Sequence, residues 1–430
     1  MRLLRRPARL AVPLLLALVA VACGASPAPT ESSSSPSVSG PPAGASTADA
    51  AAPSSGSADP ELAAAVEAVL TSAMDEYDLQ AVIARVTVDG RDVFTGALGE
   101  SLTGVPATTD MHFRNGAVAF TYIGELLAIL AGRGELDLDA PIATWLPEVP
   151  HADTVTVRML ANMTSGYADY VYQDEVLTGT DADPFRQWTD DELIRVGVAQ
   201  PQQFEPGTNW GYSHTNYILL GRLLTAVTGK PLDALMQDEV FGPMGLRQTS
   251  GADTALLPSP ALHSQSAERR AFLQIPAGTP FIEDSTYWNP SWTTAAGAVQ
   301  STDITDLATT AEKVGSGALV TPEMYEEQVG NRLVGVGQRT EACPVCNTIS
   351  AERGYGLGVL LLGDWIAQTK NFAGEGAGMA YLPEQRIAIA MVTTLTAAAY
   401  DDEGRATDPS MPLLRELATA VAPDSPLGPR

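Results

Sequence analysis

Few side chains in this 430-residue sequence have both the type and the spacing to do chemistry. Cys343 and Cys346 stand as Cys-Pro-Val-Cys within RTEACPVCNTIS, and three chemistries compete for such a pair. A zinc site needs further ligands, and none of His112, His151, His214 or His263 lies nearby in sequence. A redox pair wants the motif opening a helix after a strand, whereas its flanks read as a loop. In an exported chain a local disulfide is the remaining reading, and no metal site is expected. Tyr212 and His214 stand two apart in GYSHTNY, either bonded to each other or to backbone, or lining a pocket. Lysine is scarce: Lys230, Lys313 and Lys370 are the only three.

The N-terminus bears on compartment. Arg2, Arg5, Arg6 and Arg9 precede an apolar run, Leu10 to Val21, that is too short to span a bilayer and reads as a signal-peptide core. It ends in Ala20-Val21-Ala22-Cys23, small residues before a cysteine, which resembles a lipobox although Ala20 replaces the usual leucine. On that reading Cys23 is diacylated and anchors the mature chain; the alternative is an ordinary cleaved signal and an incidental cysteine. From Gly24 to about Ala58 the chain is almost wholly Ala, Ser, Pro, Gly and Thr, too poor in large apolar side chains to offset its ordering entropy. The expected organisation is therefore a signal peptide (1–22), a lipidated cysteine with a disordered tether (23–58), a folded domain (59–422) and a tail (423–430). The protein would be exported and lipid-anchored, outside the cytoplasm. A formal charge of −26 excludes nucleic acid and anionic lipid surfaces as partners.

The elements that must position any site follow from periodicity. Pro60 to Tyr77 carries a helical stripe at Leu62, Val66, Val69 and Leu70. AVIARVTVDGRDVFTGALG reads as two strands around Asp89-Gly90, a strong hairpin signal. AVAFTYIGELLAILAGRG is apolar nearly all round and stops at Gly132, as a buried helix would. YGLGVLLLGD and RIAIAMVTTL read as strands, and Pro412 to Val421 as a closing helix. The two ends then build one sheet, the middle forms a helical lobe, and a site is expected between them.

Several stretches, in order, resemble the serine β-lactamase and penicillin-binding protein superfamily, in the branch of D-alanyl-D-alanine carboxypeptidases and related esterases. HFRNGAVAF with LLAILAGRGELDLDAPIATWLPEV, TVRMLANMTSGYADY, FEPGTNWGYSHTNYILLGRLLTAVTGKPL, NPSWTTAAGAVQSTDITDLA, and YGLGVLL with YLPEQRIAIAMV carry the likeness, from about Asp59 to Val421. The resemblance implies an α+β fold, an antiparallel sheet flanked by helices plus a helical lobe, and acyl transfer through a serine ester without a cofactor.

Three family motifs can be laid on this chain. S-x-x-K puts serine and lysine on one helical face, so that the amine reaches the hydroxyl proton. Ala117 stands at the serine position and Phe120 at the lysine position. Residues three before the lysines are Val227, Thr310 and Ala367, so the motif has not moved elsewhere. Y-x-N corresponds to Tyr212-Ser213-His214. The third motif, K-T-G or H-x-G, falls on Gln368-Thr369-Lys370, or in a shifted register on Phe372-Ala373-Gly374. Lys370 is expected as an exposed surface lysine, the alternative being a charge offered to a substrate carboxylate. Ser165 belongs, by resemblance, to a structural turn.

Alanine has no nucleophile and phenylalanine no proton acceptor, and Phe120 would partly plug the cleft. The expectation is thus a non-catalytic binding or regulatory lipoprotein with a cell-wall peptide, a small molecule or a protein as ligand. The alternative is a carboxypeptidase-, esterase- or β-lactamase-like hydrolase with a rearranged site, using Tyr212 or His214 as base, or Thr121 as nucleophile.

Overall fold

The computed structural model describes residues 59–251, 254–330 and 333–429. The expected signal peptide, Cys23 and the tether lie outside the described residues.

Asp59 caps helix α1 (Pro60–Glu76), accepting from the Glu61 and Leu62 amides. Its buried stripe is Ala63, Val66, Leu70 and Ala73, so Leu62 and Val69 sit at the edge of that face. Strands β1 (Leu79–Val88) and β2 (Arg91–Leu102) form the expected hairpin. Its two turn residues, Asp89 and Gly90, have φ of 51° and 69°, the left-handed pair that a tight hairpin needs. A short β3 (Val105–Pro106) follows.

The remaining strands of the main sheet come from the far end of the chain: β4 (Gly354–Tyr355), β5 (Leu360–Leu362), β6 (Trp365–Phe372), β7 (Glu375–Leu382) and β8 (Ile387–Leu395). Together they make one eight-stranded sheet in the order β3-β2-β1-β8-β7-β6-β5-β4. First and last strands thus meet at its centre, where Ala84 pairs antiparallel with Met391. YGLGVLLLGD, expected as one strand, is broken into β4 and β5 because Leu357 turns aside to bond Gln328.

Both faces of the sheet are covered. On one, Val82, Ala84, Ile389 and Met391 pack with Val66 and Leu70 of α1 and with Leu413 and Leu417 of the closing helix (Ser410–Val421). On the other, Ile83, Ala388, Ala390 and Val392 face a larger core that runs into the helical lobe. This period of two sends neighbouring residues of one strand to different cores. The lobe contributes helix α2 (Ala119–Gly132) and helix α3 (His214–Thr228), and helix α4 (Ile304–Gly315) covers the middle strands.

The domain boundary at 422 needs correction. Leu427 is buried, the Trp365 indole donates to Ser425 O at 2.7 Å, and Arg415 Nε donates to Leu427 O. Residues 423–429 therefore belong to the fold and are no loose tail.

Candidate active site

Strand Phe113–Arg114 leads into a 3₁₀ turn, Gly116–Val118, that runs directly into α2. Gly116 has φ +51°, and a Cβ there would come within 2.9 Å of the Lys370 stem. Glycine is thus required at 116 both by its backbone and by the lysine lying over it. Ala117 follows, half-buried at the head of α2.

One turn on, the Phe120 side chain is fully buried. Its ring stacks on Tyr217 of α3 with centroids 4.1 Å apart and planes 13° apart. It meets His214 edge-on at 5.3 Å and Tyr212 at 5.8 Å. Such offset and edge-on contacts add about 0.5–1.5 kcal/mol per pair beyond burial. Ala117, Phe120, Tyr212 and His214 therefore gather at one place, between the sheet and the helical lobe.

Tyr212 and His214 do not bond to each other. Their rings lie edge-to-face with centroids 5.4 Å apart. His214 Nδ1 instead stands 2.9 Å from Asp169 Oδ2, and Asp169 Oδ1 accepts from the Val171 amide. Burial, followed by Tyr355 and Asp169, pushes the Tyr212 phenol well above its ordinary value. Such a phenol keeps its proton and is a poor base.

Strand β6 supplies the third motif in the gapless register. Gln368 is buried, with Nε2 donating to Gly358 O at 3.2 Å. In the shifted register Phe372 ends β6, and Ala373 and Gly374 form the two-residue turn between β6 and β7. Lys370 overturns its expected exposure. Its side chain is 0% exposed and pairs with Glu375, the residue after that turn. Glu375 Oε1 also accepts from the Arg114 amide at 3.1 Å. Burial pushes the Lys370 ammonium down, and Glu375 opposes it.

Thr121 is buried and its hydroxyl donates to Gly358 O at 2.9 Å, so it is not presented as a nucleophile. Ser165 donates to Asn216 Oδ1 and accepts from the Tyr167 amide inside a turn. Cys343 and Cys346 are disulfide-bonded and fully buried. They pack behind the irregular segment before Tyr212, where a Cβ on Gly211 would sit 3.1 Å from Cys346 Sγ. Among the described residues no group of three or more His, Cys, Asp or Glu side chains is placed to hold a metal ion.

Asp169, Tyr217 and Glu375 escaped the sequence reading. Asp169 lies 45 positions before His214, and no periodicity links them. Tyr217 was legible in principle, three residues after His214 on the same helix face.

A sheet closed by the two chain ends, a helical lobe, and a helix head facing a tyrosine and an opposing strand together define the serine β-lactamase-like scaffold. Residues 66–408 match the Beta-lactamase family, and the chain belongs to that family. It is 35% identical over 181 residues to penicillin-binding protein 4 of Amycolatopsis lactamdurans, covering 40% of this chain and 45% of that protein. It is 33% identical over 199 residues to esterase EstB of Burkholderia gladioli, covering 43% of this chain and 50% of that one. The chain thus matches about half the length of these curated relatives. Among solved structures, the D-amino acid amidase from Ochrobactrum anthropi SV3 complexed with D-phenylalanine aligns with a TM-score of 0.69 at 22% identity. That alignment covers 84% of this chain and 99% of the amidase, a likeness of fold.

Proposed function

We propose that this protein is a non-catalytic member of the beta-lactamase family, an exported lipoprotein whose fold serves binding or regulation. The observation that carries the reading is Phe120, packed against Tyr217 and His214 one turn after Ala117. Acyl transfer in this scaffold needs a hydroxyl and an amine on that helical face, and the face offers a methyl group and a ring. The strand side is also filled, since Lys370 lies over Gly116 and its charge is spent on Glu375. Lys370 therefore offers no free charge to a substrate carboxylate. A cell-wall peptide or a protein is the ligand class this reading favours, with the lipid on Cys23 holding the domain at the membrane.

The Asp169–His214 pair favours a second reading, because a carboxylate orienting an imidazole is the base half of a catalytic triad. In that reading His214 activates water directly. Turnover of a chromogenic cephalosporin and of short-chain p-nitrophenyl esters separates the two. The non-catalytic reading expects rates equal to those of a heat-treated control. Turnover above control that disappears in His214→Ala would overturn it in favour of the second.

A further inference from the structure

Away from the helix head a cavity of about 550 Å³ opens between the 278–282 loop and the segment after β8. Its lining shares no residue with the site above, and its volume falls within the roughly 300–1,000 Å³ typical of small-molecule sites. Arg270 forms one wall and is only 6% exposed. Its Nη2 donates to Pro276 O at 2.8 Å and Thr279 O at 2.7 Å. Its Nε is buried with no partner, and the guanidinium has no carboxylate in ion-pair contact among the described residues. A buried cation without a counter-charge is costly to keep, and a guanidinium matches a carboxylate ligand better than any other group.

The rest of the cavity constrains what that carboxylate belongs to. Asp402 stands exposed at the rim, one oxygen accepting from the Gly278 amide at 2.9 Å and neither paired with a cation among the described residues. Asp401 beside it is already engaged by Arg405. Pro280, half-buried Phe281 and Ile282 add apolar surface to the lining. A simple anion would approach a chain of formal charge −26 against long-range repulsion. A ligand that carries its own ammonium avoids this and meets Asp402.

We propose that this cavity binds a zwitterionic dipeptide-sized ligand, its carboxylate on Arg270, its ammonium on Asp402 and its aliphatic side chains on Phe281 and Ile282. The inference is independent of whether the protein is catalytic. Isothermal titration of the purified domain with leucyl-leucine tests it, beside N-acetyl-leucyl-leucine, which lacks the ammonium, and leucyl-leucinamide, which lacks the carboxylate. Saturable binding of leucyl-leucine is expected, weakened roughly tenfold by removal of either charge. Arg270→Gln should abolish binding. Because Arg270 also braces two loop carbonyls, Asp402→Asn provides a variant that keeps the Gly278 contact and the fold. It should weaken leucyl-leucine severalfold and leave the acetylated peptide unchanged. No saturation with leucyl-leucine up to about 20 mM, equal binding of all three peptides, or indifference to Asp402→Asn would overturn the proposal.

Discussion

Phe120 does for packing what a lysine at its position could not. Three aromatic neighbours hold it in a fully buried slot, and truncation to alanine is expected to cost about 3–5 kcal/mol by chemical denaturation. A loss below about 1 kcal/mol would mean that the ring is not the keystone described. Lys370 belongs to the same argument from the strand side. Lys370→Ala leaves Glu375 buried without its cation and should cost about 3–5 kcal/mol, whereas the paired change Lys370→Met with Glu375→Gln should cost far less. Equal losses in the single and paired variants would contradict the pairing. Glu125, buried in α2, makes the pH dependence. Burial pushes its carboxyl up to about 7, opposed by the Gln328 amide, and its Oε1 has no partner. A carboxyl whose folded value is raised stabilises fully below its unfolded value, and that contribution is lost as pH climbs through the folded one. Stability should therefore fall by ~3 kcal/mol between about pH 4.5 and pH 7 through this group. Glu125→Gln should flatten that fall and exceed the parent's stability at pH 8; urea midpoints across the range check it.

At the scale of elements, what the sequence made legible was what carries local signals. The Asp89-Gly90 turn, the apolar run of α2 and the alternation of β8 each announce themselves within a dozen residues. Strand β7, EGAGMAYL, does not, because it is buried on both faces and built of small residues with no β-branched side chain. The β6–β7 hairpin was therefore missed from periodicity, and with it the reason Lys370 is buried: its partner sits across the turn. Asp169 and His214 meet only through the tertiary fold. The Cys343–Cys346 loop is an element of the same kind: its spacing points to a local disulfide, but nothing in the sequence marks it as a wall behind Tyr212. Replacing both cysteines by alanine should lower stability by about 2 kcal/mol and change the near-ultraviolet dichroism of Trp210, Tyr212 and Tyr355, where Tyr355 meets Tyr212 edge-on and Trp210 at a tilt. An unchanged aromatic spectrum would separate the loop from the site.

For the whole molecule, the fold class was legible because several motif blocks appear in order, and the family match spans residues 66–408, the stretch that holds most of them. Among the described residues no helix is long and apolar enough to cross a bilayer, and the proposed attachment is through lipid on Cys23. Cys23→Ala should release the protein into the medium, and full retention in the membrane fraction would contradict the anchor. The central claim, that a hydrolase scaffold persists here without its acyl chemistry, is tested most directly by intact mass after incubation with a reporter β-lactam and a fluorophosphonate. Ala117→Ser with Phe120→Lys, checked first for folding, serves beside it as the restored comparison, and each single change should stay inert because nucleophile and base act as a unit. The account predicts no added mass on the native protein with either reagent. A stoichiometric adduct on the native protein, mapped by peptide sequencing to one side chain, would contradict it.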